Sequence, residues 1–377
     1  MKAFVFTDKA LESEAGRFVW LEINTERAGN APFRTQFKVQ ALPTYFVVDP
    51  RNQRILARRV GGATVAQLRE FLDSAHAAYG ADRLSPADLA SARAESLYAA
   101  GEAKKAIGAY QEALEFADPK WTGYERTVEA LLFAYQMDDD CESAARLAQR
   151  AWPDLRMTAA AANVAATGLD CALELPVDFA GREALIQTML TAIREVTTDL
   201  NLPLVPDDRS SAFGSLIGAY EELGDTTAMH AATEAWALFL DAEAAKATSP
   251  EQRTVYDSHR LSAYLELDRP ERAIPMLQQS EKDFPDDYNP PARLAVAYLR
   301  MSRLDLALAA NDRAVARAYG PRKVRILLNR ADIFAAKEDA TSRQATLQEA
   351  LSLAESLPDG QRSESLIASL KRRLEKS

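Results

Sequence analysis

Cysteine and histidine are scarce in this sequence: 377 residues contain only Cys141, Cys171, His76, His230 and His259. They are too few and too scattered for the paired spacing of a zinc site, and no metal or other cofactor is expected. No run of about 18 apolar residues occurs, which excludes a membrane-spanning helix. Residues 1–14 lack a basic stretch followed by an apolar core, so no signal peptide is expected and the sequence as it stands reads as cytoplasmic. Also missing are a P-loop, a Gly-rich dinucleotide fingerprint and any Ser/His/Asp arrangement. The three histidines are isolated, which suits surface or packing positions better than catalysis.

Positive charge is short where it would matter for a polyanion. The net charge is −10, with residues 1–80 carrying eleven Lys and Arg against eight Asp and Glu, or +3, and the remainder 34 against 47, or −13. Nucleic-acid binding rests on phosphate neutralisation, so most of this surface would repel it. Hydrophobic residues at 47% and charged residues at 27% are ordinary for a folded chain.

Residues 1–80 carry the strand signals. Arg17 to Asn24 alternates and ends polar, as a strand running into a loop does; a short helix is predicted around Pro32 to Phe37. Val39 to Pro50 contains five β-formers after Pro43 and reads as a buried strand closed by an Asp-Pro turn. Arg54 to Val60 is a further strand, broken by Gly61-Gly62, with Arg58-Arg59 expected at its edge and one charge turned outward. Thr64 then caps a helix whose apolar face is Val65, Leu68, Phe71 and Leu72.

This order, strand, helix, Pro-led strand, hairpin and terminal helix, resembles the second half of a thioredoxin fold, on Phe18 to Asn24, Val39 to Asp49 and Gly61-Gly62. The resemblance implies a cis peptide bond before Pro43, and a substrate-binding loop of Leu42, Pro43 and Thr44 that faces a peptide backbone. It also implies a Trp-Cys-x-x-Cys at the start of the helix preceding residues 18–24, where the helix terminus lowers a thiol pKa. No cysteine precedes position 141, so no catalytic residue is assigned. Met1 to Leu11 resembles the tail of that helix. Two explanations are open: a true start upstream of Met1 that supplies the cysteine pair, or a remnant kept as a structural cap. The first is preferred, because a half-sheet with its central strand open is an aggregation liability. An upstream extension would also allow a periplasmic or exported protein.

From residue 82 to 377 helical periods dominate. Tyr264 and Tyr298, Ala273 and Ala307, and Leu261 and Ala295 are each 34 residues apart, the period of tetratricopeptide repeats (TPRs). Leu97 to Ala113 with Pro119, and Tyr135 to Ala151 with Pro153, resemble two such repeats. Ser258 to Pro285 and 288–320 resemble two more, 210–245 and 323–358 are weaker, and 160–205 is helical but off pattern. Leu366, Ile367, Leu370 and Leu374 form the stripe of a capping helix beside Lys371, Arg372 and Arg373.

The expected fold is therefore a partial α/β thioredoxin-like module (1–80) followed by an all-α, TPR-like superhelical solenoid (82–377). The resemblance implies protein or peptide partners on the concave face made by the first helix of each pair. Where one subclass clamps a C-terminal carboxylate, this chain has Ser91 and Glu95, Ser258 and Ser262, and Ala292 and Val296, so no clamp is expected. Cys141 and Cys171 fall in separate helical hairpins and read as buried free thiols rather than a disulfide. Asp138-Asp139-Asp140 reads as a solvated loop favouring the positive end of the next helix. The expected function is a non-catalytic protein-interaction scaffold; the alternative is a thiol–disulfide oxidoreductase whose cysteines lie upstream.

Overall fold

A computed structural model describes residues 1–37, 39, 41–80 and 84–375. Its contacts divide the chain into two compact units, Met1–Phe18 with Lys38–Trp236, and Val19–Phe37 with Ala237–Ser377.

The first unit opens with a 3₁₀ turn, Lys9–Glu14, capped by Asp8, whose carboxylate accepts from Ala10 N at 2.8 Å. Strands β1 (Thr44–Val48) and β2 (Ile55–Val60) form an antiparallel hairpin pairing Thr44 with Val60 and Phe46 with Arg58. The turn is organised by Asp49, which accepts from Arg51 N at 2.9 Å and from its guanidinium at 2.8 and 3.0 Å. Those bonds hold the Asp49 carboxyl down at about 2. Helix α2 (Val65–Gly80) begins on the expected cap: Thr64 Oγ1 accepts from Gln67 N, and Gln67 Oε1 accepts from Thr64 N. Leu68, Phe71 and Leu72 of α2 pack with Leu56, Ala57 and Val5 in a small core.

Two expectations fail here. Arg17 to Asn24 is not a strand: only an isolated bridge joins Ala15 and Phe18, and Val19 and Leu21 are 89% and 81% exposed. Alternation makes a strand only where a neighbouring ladder receives it, and the sheet holds β1 and β2 alone. Residues 19–37 instead belong to the second unit, where they include α1 (Ala31–Phe37). The Pro-led strand is also not buried, since all five residues of β1 are half-buried.

Seven helix pairs follow among the described residues. The first unit contains α3 (Pro86–Ala99) with α4 (Ala103–Phe116), α5 (Tyr124–Met137) with α6 (Cys141–Leu155), α7 (Ala161–Glu174) with α8 (Arg182–Thr198), and α9 (Pro206–Glu222) with the start of α10 (Thr226–Ala245). The second holds α11 (Pro250–Thr254) and α12 (Asp257–Glu266) against α13 (Ala273–Asp283), then α14 (Asn289–Arg300) with α15 (Leu304–Arg317), and α16 (Gly320–Ala336) with α17 (Ala340–Ser356). The last helix, α18 (Glu364–Glu375), buries Ile367 and Leu370 as the capping stripe predicts.

One turn recurs in six of these pairs among the described residues. The first helix ends with a residue in left-handed conformation, Gly101, Asp139, Gly224, Asp268, Ser302 or Glu338. The next amide donates back five residues: Glu102 to Leu97 O, Asp140 to Tyr135 O, Asp225 to Tyr220 O, Arg269 to Tyr264 O, Arg303 to Tyr298 O and Asp339 to Phe334 O, at 2.8–3.0 Å. This is the Schellman closure, which satisfies carbonyls that a helix end leaves open. The tyrosines that mark the 34-residue period are the residues whose carbonyls close the turn. Small residues sit where paired helices cross: Ala106, Ala144, Ala273, Ala307 and Ala310 are fully buried.

The α7–α8 pair departs from this turn and has a longer connection ending at Gly181. Its contact with α6 needs Gly168, where a Cβ would stand 2.5 Å from Ala148 Cβ and from Met189 Sδ.

Candidate functional site

Leu42, Pro43 and Thr44 form the loop that leads into β1. The Leu42–Pro43 bond is cis, Leu42 is 62% exposed, and Pro43 O accepts from Gly61 N at 2.9 Å. Thr44 Oγ1 donates to Ala41 O at 2.6 Å. Beside them burial pushes the Tyr45 phenol up to about 12, so it stays protonated at neutral pH. Nothing ionisable in this loop is poised for proton transfer.

The face of α3 and α5 in the first unit is covered by β2. Arg58 and Arg59, expected at a strand edge with one charge outward, are both 6% exposed. Arg58 Nε donates to Glu95 Oε2 at 3.3 Å, and its guanidinium lies 4.0 Å from the Tyr98 ring centre and 5.8 Å from that of Phe133. Arg59 donates to Gly62 O at 3.0 Å and to Glu129 Oε2 at 3.3 Å. The reason is electrostatic: acidic side chains on the first helices supply buried partners that the hairpin's arginines meet. Ser91 and Glu95, the positions examined for a carboxylate clamp, are consequently buried, Ser91 sharing a 3.2 Å hydrogen bond with Thr127.

Beside this contact a cleft of about 230 Å³ is lined by Arg59, Arg126, Glu129, Phe133, Asn163 and Thr167, among others. Its surroundings are acidic and poorly solvated. Burial and Glu129 raise the Glu125 carboxyl, burial raises Glu70, and burial with Glu129 and Asp207 pushes Asp208 up to about 7.

In the second unit, side chains at helix starts hold a turn (Arg27 N to Asn24 O, 3.2 Å) and the 3₁₀ segment Ala28–Asn30 that lead into α1. Glu26 accepts from Arg322 Nε at 2.8 Å and from Tyr288 OH at 2.6 Å. Gln361 Nε2 donates to the backbone carbonyls of both Thr25 and Arg27 at 2.9 Å. Asn24 Nδ2 donates to Tyr319 OH at 3.0 Å, and the Arg27 guanidinium lies 4.0 Å from the Tyr319 ring centre. Two glycines admit the backbone: a Cβ on Gly320 (φ +57°) would stand 2.4 Å from Glu26 O, and one on Gly360 2.4 Å from Ala31 O. Burial and the Glu26 carboxylate push the Tyr288 phenol well above its ordinary range, so it remains a donor.

This site was not foreseen, because its two halves are almost 300 residues apart. The signal available was a pair of tyrosines, Tyr288 and Tyr319, each immediately before a first helix.

The remaining singled-out residues are quickly placed. Asp140 caps α6 by accepting from Ser143 N at 3.1 Å, as expected. His76 packs edge-on against Phe18, His230 is exposed and His259 is half-buried. Cys141 and Cys171, expected apart, are adjacent, with their sulfurs 3.1 Å apart across α6 and α7. Among the described residues no group of three or more His, Cys, Asp or Glu side chains is placed to hold a metal. No helix of the described residues is long and apolar enough to cross a membrane.

Neither a protein-family model nor a curated protein matches the chain. Solved structures do. A tetratricopeptide repeat protein from Parabacteroides merdae is 11% identical over 77% of this chain and 99% of its own, with a TM-score of 0.46. The apo form of RapI is 12% identical over 82% of each chain, at 0.42. The TPR2AB domain of yeast Sti1, in a complex with pHSP90, is 17% identical over 77% and 97%, at 0.30. The helical part is a run of helix pairs, six of them closed by the same Schellman turn among the described residues; the α/β part is a two-stranded hairpin with its helices.

Proposed function

We propose that this protein is a non-catalytic interaction scaffold whose repeats bind a turn-forming polypeptide segment. The observation that carries the reading is the grip on residues 24–31 in the second unit. Gln361 takes two main-chain carbonyls, Gly320 and Gly360 leave room for the backbone, and Arg322 with Tyr288 selects one carboxylate. The contacts to main-chain carbonyls do not depend on side chains, and the pairing of Arg322 and Tyr288 with a carboxylate gives choice among segments. Partners on this reading are proteins that present an exposed turn with an acidic residue.

The test uses the chain with residues 24–30 replaced by a Gly/Ser stretch of equal length. A labelled peptide of residues 19–31 is titrated against it by fluorescence anisotropy. Saturable binding, weakened at least tenfold by Arg322→Ala with Tyr288→Phe, supports the reading. No binding at millimolar peptide defeats it.

A second reading is favoured by the order of elements after Pro43. The hairpin β1–β2, the break at Gly61-Gly62 and the terminal helix α2 resemble the end of a thioredoxin-like module. On that reading residues 1–80 present Leu42, Pro43 and Thr44 to a client backbone while residues 82–377 select the client. The thiols present do not suit disulfide reduction, since burial raises both Cys141 and Cys171. With dithiothreitol-recycled insulin the chain is expected to show no turnover above a cysteine-free variant; turnover well above it would move the assignment to an oxidoreductase.

A further inference from the structure

Cys141 is the first residue of α6 and Cys171 lies in α7, so they belong to consecutive helix pairs. Both are free thiols, yet Cys141 Sγ stands 3.1 Å from Cys171 Sγ and 3.0 Å from Glu174 Oε2. A disulfide needs its sulfurs at about 2.05 Å and its Cα atoms within about 7 Å. Here the gap to be closed is about an ångström, within the reach of side-chain rotation. The close approach is built into the helices rather than left to chance. Gly168, one turn before Cys171 on α7, packs directly against Ala148 of α6, with no room for a Cβ. The two positions also differ in access: Cys141 is half-exposed, whereas Cys171 is 1% exposed.

We propose that Cys141 and Cys171 are a modification site, an intramolecular disulfide that staples the second helix pair to the third. The oxidant it takes is a small-molecule disulfide. The accessible Cys141 thiolate attacks one sulfur of that disulfide, breaking its S–S bond and releasing one small thiol. Cys171 then attacks the Cys141 sulfur of the mixed disulfide, releasing the second small thiol. Two protein thiols lose two electrons, the small disulfide gains them, and the two protons end on the two released thiols. Burial and the Glu174 carboxylate keep Cys141 protonated, so formation is slow at neutral pH. The staple lies beside α7–α8, the pair lacking the Schellman turn found in the other six. A covalent tie there fixes a step between repeats that the recurrent turn does not.

The experiment is intact-mass and peptide mass spectrometry on the full chain, incubated with oxidised glutathione, then alkylated under denaturing conditions. The expected product is about 2 Da lighter than the reduced protein and takes up no alkylating agent. Its tryptic digest contains residues 127–146 joined to residues 157–182, each holding one cysteine. Cys171→Ser should stop at a glutathione adduct on Cys141. The oxidised wild type should also melt several degrees above its reduced form, a difference that Cys171→Ser abolishes. Two alkylated cysteines after oxidation, or a separate glutathione on each, would overturn the proposal.

Discussion

Each unit covers the starting helices of some of its repeats with its own chain, but by different physics. In the first unit the cover is a hairpin, and it is held by side chains: Arg58 on Glu95 and Arg59 on Glu129, both arginines almost fully buried. In the second the cover is a turn and a 3₁₀ segment, held through its carbonyls and one carboxylate. A buried ion pair is specific to its two residues, and removing one leaves a charge without a partner. A main-chain contact is indifferent to side chains, so another segment of the same backbone shape can take its place. The first cover is therefore part of the fold, and on the proposed function the second stands in the place of a ligand.

The comparison can be broken most forcefully at Arg58. Glu95→Ala leaves the guanidinium buried and unpaired, and should destabilise the first unit by about 3–5 kcal/mol in urea unfolding. Arg58→Met with Glu95→Leu should recover most of that loss, because two apolar side chains of similar volume replace the pair. At Gly320, alanine meets Glu26 O and must adopt a left-handed conformation, at a cost of about 1–2 kcal/mol. That loss should appear as faster proteolysis around residues 24–31, with the first unit's urea midpoint unchanged.

Asp208 sharpens the contrast through pH. Its folded pKa of about 7 lies above the ordinary 3.8, so between these values the folded state keeps a proton that the unfolded state has released. Stability should fall as pH rises through that window. Asp208→Asn should therefore gain little at pH 4 and roughly 1 kcal/mol or more at pH 8, each pKa unit being worth about 1.4 kcal/mol. The smallest effect is expected at Arg322, whose side chain is 49% exposed. Arg322→Ala alone should cost under about 1 kcal/mol of stability, as half-solvated pairs do, while still weakening peptide binding.

What could be read from the sequence is local. The hairpin β1–β2, the Thr64 cap and the stripe of α18 are set by residues within a turn or two of one another. Tyr264 and Tyr298 revealed the repeat because the closure of each pair uses the same position. The left-handed residues themselves were hidden, since Asp139, Asp268, Ser302 and Glu338 are not glycines and carry no obvious turn signal. Everything that failed depended on partners far along the chain. Residues 17–24 alternate like a strand, but no ladder receives them: Arg17 pairs with Glu14 and Asp73, whereas Asn24 bonds Tyr319, 295 positions away. Arg58 looked outward until α3 supplied Glu95. Cys141 and Cys171 looked separate because a spacing of thirty residues says nothing about two helices packed side by side.

The most direct test of the account is where a peptide lands. Amide hydrogen exchange would be followed across the chain whose residues 24–30 are replaced by Gly/Ser, with and without saturating peptide 19–31. The account predicts added protection confined to the starts of α14 and α16 and to residues 358–363. Protection elsewhere in the repeats, or none, would contradict the proposal that this face binds a polypeptide segment.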